Sequence, residues 1–255
     1  MELNRVHNMP CIEMFAGLEE QASLIIADPP YGIKYKSGRK EARSTGIQEY
    51  QGKAVVDKDR KEIEFFDDGT IDTSWIQSTF HALKDDGAMY VFTRWDVLHT
   101  WYAAILDAGF KVSQRIVWNK GHWGSGDLRY YGSMTEDILF CVKDVHHLRW
   151  DMREGNIWKV HAQGLITQDL SEEGGYRHPT QKPTRLFQKI IQYSSDPNDL
   201  ILDPFSGSGA ACIAAQRLHR RFVGSDISPT FTAAANAWIE EDARTNSQVR
   251  MNTMF

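Results

Sequence analysis

The apolar positions fall into short continuous runs that alternate with segments of helical spacing. Leu24 to Ala27 is a buried-type run that ends at Asp28-Pro29-Pro30, where a proline pair cannot continue a central strand and the chain must turn. Trp75, Ile76, Phe80 and Leu83 share one helical face and predict a helix over 72–83. A strand follows over 88–93, then a helix over 96–108 closed by Gly109. Strands are expected over 111–118 and 136–143, with residues 147–150 pairing nearby. The second half reads as helix 184–193, strand 200–203, helix 209–218, strand 221–226 and a final helix 229–243 with Pro229 in its first turn. Residues 38–68 are polar and without periodicity, which reads as a long loop, and 157–177 read as irregular. Strands alternating with helices of this length imply right-handed crossovers and a mostly parallel sheet covered on both faces.

Composition narrows the class only modestly. At 255 residues the chain supports one sizeable α/β core, and 42% hydrophobic with 25% charged residues is ordinary for a globular protein. No apolar run reaches the roughly 20 residues of a membrane span, and the first ten residues lack the pattern of a signal peptide. Three widely separated cysteines suggest a reducing cytoplasm, with neither a disulfide framework nor zinc spacing, so no metal is expected. A net charge of −5 argues against nonspecific coating of nucleic acid. Yet Lys34, Lys36, Arg39, Lys40 and Arg43 fall within ten residues directly behind Tyr31, opposed only by Glu41. A solvated loop explains such a run; its position beside a proline turn makes phosphate contact the alternative.

Two segments carry chemistry. Leu200 to Asp203 leads into Pro204-Phe205-Ser206-Gly207-Ser208-Gly209, a strand followed by a glycine turn into a helix. In parallel sheets ligands bind beyond the carboxyl ends of such strands. Asp203 offers a carboxylate to a cation, and Asp226, ending the next strand, can accept from ribose hydroxyls. A dinucleotide fingerprint would want a third glycine where Cys212 stands, and a phosphate loop would want Gly-Lys-Ser/Thr. An adenosine cofactor without phosphate fits better, and a purely structural turn stays open.

The second segment is Asp28-Pro29-Pro30-Tyr31. Its prolines remove two backbone donors, so the turn faces a ligand with acceptors only. That suits an exocyclic amine with two hydrogens to give, and Tyr31 can stack on a base. Together the two motifs resemble the amino-methyltransferases of DNA, with the order of the β group, in which the catalytic motif precedes the cofactor loop. His178-Pro179-Thr180-Gln181-Lys182-Pro183, Trp118-Asn119-Lys120 and the Glu136 strand are similar to further family elements.

The resemblance implies an S-adenosylmethionine-dependent methyltransferase fold: Rossmann-like α/β, a seven-stranded mostly parallel sheet with helices on both faces, in circularly permuted motif order. It implies one methyltransferase domain over 1–255, a mobile loop at about 36–70 and a small target-recognition insertion at about 146–177. The donor would be S-adenosyl-L-methionine and the target a flipped-out adenine in double-stranded DNA. Aspartate rather than serine before Pro-Pro-Tyr favours adenine N6; cytosine N4, RNA adenine, and a DNA-binding methyltransferase-like protein of weak activity are the alternatives. By the same analogy Asp28, Pro29, Pro30 and Tyr31 are catalytic. Asp203, Phe205, Ser206, Gly207 and Gly209 surround the methionine end of the cofactor, Asp226 holds the ribose, and Thr180, Lys182 and Pro183 lie near the methionine carboxylate. Lys34, Lys36, Arg39, Lys40 and Arg43 would hold DNA, with Trp123, Arg129, Tyr130, Arg149 and Arg153 as candidate readout residues. A cytoplasmic location follows, bacterial or phage-encoded, and a homodimer is compatible.

One departure from the family pattern is Pro10, in Asn8-Met9-Pro10-Cys11, where many relatives carry an aspartate. Pro10-Cys11 also mimics the Pro-Cys nucleophile of cytosine carbon-5 methylation. In those enzymes, however, the cysteine follows the cofactor loop.

Overall fold

The computed structural model describes residues 1–32, 69–121, 131–149, 151, 154–161 and 181–252. By its internal contacts the chain divides into two units, Met1–Pro29 with Thr73–Phe255, and Pro30–Asp72. In the smaller unit Gly32 packs against Thr70 and Ile71, so its two described ends meet. Lys34 to Arg43, His178 to Thr180, Trp123, Arg129, Tyr130 and Arg153 lie outside the described residues.

The larger unit is built on one sheet. Its strands are β1 (Arg5–Asn8), β2 (Ala22–Ala27), β3 (Leu83–Thr93), β4 (Lys111–Asn119), β5 (Thr135–Val142), β6 (Ile157–Lys159), β7 (Leu200–Asp203) and β8 (Arg221–Asp226). They are ordered β1-β8-β7-β2-β3-β5-β4-β6. All neighbours are parallel except where β5 inserts antiparallel between β3 and β4. The expected mostly parallel α/β sheet is therefore present, with one strand beyond the seven. The three-residue β6 extends the edge, in a stretch read as irregular because so short a strand carries no periodicity. Residues 147–149 form no strand.

Six helices complete the unit: α1 (Cys11–Ala16), α2 (Ile76–Ala82), α3 (Leu98–Asp107), α4 (Thr184–Ser194), α5 (Ala210–Arg217) and α6 (Pro229–Asn252). Helices α1, α2 and α3 pack side by side in one layer, and α4, α5 and α6 in another. The central strands are buried on both faces, as parallel strands covered by two helix layers must be. Leu24, Ile25 and Ile26 of β2, Met89 to Phe92 of β3 and Ile201 and Leu202 of β7 make the middle of the core. Each fully buried aliphatic or phenylalanine side chain among them contributes about 1.5–3 kcal/mol to the hydrophobic term.

The order locates the ligand crevice. From β7 the chain crosses to β8 on one side, whereas from β2 it crosses to β3 on the other. The topological switch point therefore lies between β7 and β2, where an open α/β sheet binds its ligand at the carboxyl edge. The register places Ile25 opposite Leu202, so Asp203 and Asp28 end neighbouring strands at that edge.

Candidate active site

Asp203 is the last residue of β7 and is 5% exposed. Burial, and then the negative charge of Asp28, push its carboxyl up to about 7, against the pull of the Phe205 amide and the Ser206 hydroxyl. Two neighbouring carboxylates favour a cation between them. The loop that follows is fastened from within. Ser206 donates its hydroxyl to the Asp203 carbonyl (2.9 Å) and its amide to the Ser225 carbonyl (2.9 Å). The Gly209 amide goes to the Ser206 carbonyl (2.7 Å), and the Gly207 amide to Asp226 Oδ2 (2.9 Å).

Those bonds decide what the loop can hold. A phosphate cradle turns successive amides outward toward the anion. Here the amides of Ser206, Gly207 and Gly209 are engaged inside the protein, and the loop is flanked by the carboxylates of Asp203 and Asp226. The donor set fits a cationic amino-acid end and a ribose, which agrees with S-adenosylmethionine and not with a dinucleotide. Gly209 sits at φ +82°, and a Cβ there would approach the Ala235 Cβ of α6 to 2.9 Å. Gly224 of β8 is required by close approach, since a Cβ would strike Ser206 Oγ and Cys212 Sγ.

Asp226 ends β8. Its two oxygens accept from the Gly207 and Ser228 amides, at 2.9 and 2.8 Å, so it ties the cofactor loop to the next turn. Burial raises its pKa against those two hydrogen bonds. The carboxylate has about four acceptor sites, so these bonds do not exhaust it. β1 pairs beside it, with Asn8 opposite Asp226, and Pro10 follows as the residue before α1. Phe205 is held edge-on by Trp75, with ring centroids 5.0 Å apart, and Trp75 in turn packs on Trp101. Helical spacing assigns Trp75 only to a helix core and says nothing of this brace.

Asp28 and Pro29 leave the end of β2. The Asp28 carboxylate receives Lys182 Nζ at 2.9 Å, and the same ammonium lies 3.4 Å from Glu136 Oε2. Lys120 approaches the other oxygen of Glu136 at 3.4 Å. The sheet assembles this row: Glu136 starts the antiparallel β5 opposite Trp118, and Lys120 follows β4. Lys182 precedes α4, whose first residues Thr184 and Leu186 are buried. Burial disfavours the Lys182 charge, but Asp28 and Glu136 outweigh it and raise its pKa. Burial likewise works against ionised Glu136, but Lys182 and Lys120 prevail and hold its pKa below the ordinary carboxylate value. Pro183 stands at the N-cap of α4.

The described structure thus gathers Asp28, Pro29, Lys182, Asp203, Phe205, Ser206, Gly207, Gly209 and Asp226 at one edge of one sheet. Pro30 and Tyr31 open the smaller unit. Lys182 stands on Asp28 and Glu136, a place the motif did not reveal, because the partners are 154 and 46 residues away and meet only through sheet register. Arg149, a candidate readout residue, is instead occupied far from this edge. It binds the Ser195 carbonyl behind the end of α4 (2.6 Å) and pairs with Asp196. Cys11 opens α1, ahead of β2. Among the described residues no cluster of His, Cys, Asp and Glu could hold a metal, and no helix is long and apolar enough to cross a membrane.

Comparison with known proteins agrees with this geometry. The profile of the N6/N4 DNA methylases matches residues 22–237. The type II methyltransferase M2.DpnII of Streptococcus pneumoniae is 31% identical over 239 residues, 89% of this chain and 85% of that protein. M.HinfI of Haemophilus influenzae is 27% identical over 253 residues, 94% of this chain and 69% of that protein. Among solved structures, the M1.HpyAVI–SAM complex superposes with a TM-score of 0.66 at 22% identity, covering 92% of this chain and 98% of its own. The cytosine-N4-specific PvuII DNA methyltransferase superposes with 0.62 at 17%, covering 92% and 87%. The family match runs through both the Asp28 turn and the Asp203 loop, and on it the chain belongs to the DNA methylase family.

Proposed function

We propose that the chain is a site-specific adenine-N6 methyltransferase of double-stranded DNA that acts on a base turned out of the helix. The observation that carries the reading is the meeting of Asp28-Pro29 and Asp203 at the switch point between β2 and β7. One side of that crevice offers acceptors for an amine, and the other offers carboxylates for a cationic cofactor. Aspartate at position 28, where a cytosine-N4 enzyme would be expected to carry serine, favours adenine.

S-adenosylmethionine is the methyl donor, and when bound it supplies a methyl group made electrophilic by its sulfonium. The protein's part is placement and electrostatics. Asp28 and the Pro29 carbonyl accept the two amine hydrogens, which draws the nitrogen lone pair out of ring conjugation. With the methyl group's bond to sulfur broken as its bond to nitrogen forms, the nitrogen would be left cationic, and its surplus proton would pass along the hydrogen bond to Asp28. Asp203 opposes the methionine ammonium, Asp226 the ribose hydroxyls, and Phe205, braced by Trp75, closes the crevice wall. Pro30 keeps the turn without a donor, and Tyr31 stacks on the base. Turning the base out costs a few kcal/mol, which phosphate contacts from Lys34 to Arg43 would offset.

The chain is read as one methyltransferase domain with a loop at about 36–70 and target recognition at about 146–177. The test uses tritiated methyl donor with duplex DNA, single-stranded DNA and RNA of matched sequence. Label confined to duplex DNA, and lost in Asp28→Ala, is expected. Label on RNA alone would refute the substrate assignment.

A further inference from the structure

We infer that Lys182 is a positioning residue for catalysis, holding the Asp28 carboxylate in place, and that Glu136 and Lys120 hold Lys182 in turn. The inference rests on the function proposed above for Asp28. It departs from the role the sequence suggests for Lys182, at the methionine carboxylate.

The geometry is that of a row of alternating charge in which Lys182 is buried and Asp28, Glu136 and Lys120 are half-buried. Lys120 lies 3.4 Å from one oxygen of Glu136, Lys182 lies 3.4 Å from the other, and Lys182 lies 2.9 Å from Asp28. Lys182 is 8% exposed, and its ammonium stands 5.8 Å from the centroid of the Phe92 ring, so bulk water contributes little to its solvation. A buried ammonium is retained only where carboxylates satisfy its protons, and here two do. An ammonium donates three hydrogen bonds and accepts none. Its bond to Asp28 therefore holds one carboxylate oxygen and the rotamer with it.

The alternation matters for the chemistry. A lone ammonium beside Asp28 would oppose the positive charge that grows on the amine during transfer. Glu136 offsets that charge, and Lys120 settles Glu136, so Asp28 keeps an anionic face while being held still. Asp203 ends the neighbouring strand β7, and whenever it ionises it repels Asp28, a repulsion that Lys182 offsets.

Two readouts separate this role from cofactor binding. Cofactor affinity is measured by calorimetry with S-adenosylmethionine alone, and kcat on duplex DNA, with circular dichroism to establish folding. Lys182→Met is expected to lower kcat about 100-fold, the scale of a misplaced reacting group, with the cofactor Kd little changed. Lys182→Arg, which keeps the cation, should recover part of the rate. Glu136→Gln should lower kcat less and also spare Kd, and it decides the matter if Lys182→Met does not fold. A weakened cofactor Kd with kcat retained at saturation, or an unchanged kcat in both variants, would overturn the inference. A wild-type protein that methylates no base would sink the proposed function instead, and the calorimetric comparison would still decide whether Lys182 serves the cofactor.

Discussion

Replacing Asp203 by asparagine should stabilise the cofactor-free protein in a pH-dependent way. The folded chain holds the Asp203 proton up to about pH 7, against 3.8 for a solvated aspartate, because of burial and the neighbouring Asp28. The folded state therefore binds this proton more tightly than the unfolded state, and stability falls as pH rises from about 4 to about 7. A tenfold difference in proton affinity between the two states is worth about 1.4 kcal/mol, so the ionised carboxylate costs the fold about 4 kcal/mol at pH 8. About 2 kcal/mol of that accrues between pH 5 and pH 7, where the unfolded state has already lost its proton and the folded state keeps it until it is half lost at pH 7. Asparagine keeps the shape and the acceptor oxygen but cannot ionise. For a chain of this size 1 kcal/mol moves the melting temperature by about 2–4 °C. The melting temperature of Asp203→Asn should thus gain on the wild type by about 5–10 °C between pH 5 and pH 8, read by scanning calorimetry. Any fixed packing cost of the amide cancels in that difference. The same variant should lose most of its affinity for S-adenosylmethionine. A gap between variant and wild type that stays constant with pH would refute the reasoning.

Three further outcomes follow from the same site. Gly209→Ala should cost about 1–2 kcal/mol for the left-handed backbone alone, and more for the encounter with Ala235; denaturant unfolding measures it, and no loss would contradict the loop geometry. Trp75→Ala should cost about 3–5 kcal/mol as a core truncation and raise the cofactor Kd through loss of the Phe205 brace, whereas a stability loss with unchanged Kd would confine Trp75 to packing. Pro10→Asp restores the carboxylate of the family pattern two residues beyond β1. It should tighten cofactor binding in calorimetry, and an unchanged or weaker Kd would show that the site does not use that position.

Much of the fold was legible because the central strands are buried on both faces and read as continuous apolar runs. β2 and β7 end at residues that declare themselves, Asp28-Pro29 and Asp203-Pro204. The missed elements are those with too few residues to show a period. β1 has four residues, α1 six and β6 three, and each is fixed by neighbours rather than by its own pattern. β3 begins five residues before its expected start at 88, because the charged Lys84, Asp85 and Asp86 carry no apolar strand pattern although Leu83 already pairs with β2. The final helix runs past its expected end at 243 to Asn252; among the residues of described burial, Trp238 and Ile239 are its last buried hydrophobics.

The site divides in the same way. Asp28, Asp203 and Asp226 stand in local motifs, so sequence alone could assign them. The row of Lys120, Glu136 and Lys182 belongs to three separate elements that meet only because β5 runs antiparallel between β3 and β4. Nothing local in the sequence encodes that meeting. Arg149 shows the converse: a cation that looked available for DNA is spent on the end of α4.

The most direct measurement is mass analysis of nucleosides from duplex DNA incubated with the protein and S-adenosylmethionine. N6-methyldeoxyadenosine in the wild-type digest, absent with Asp28→Ala, is the expected result. N4-methyldeoxycytidine as the product, or N6-methyldeoxyadenosine undiminished in Asp28→Ala, would contradict the assignment of Asp28 as the acceptor for an adenine amine.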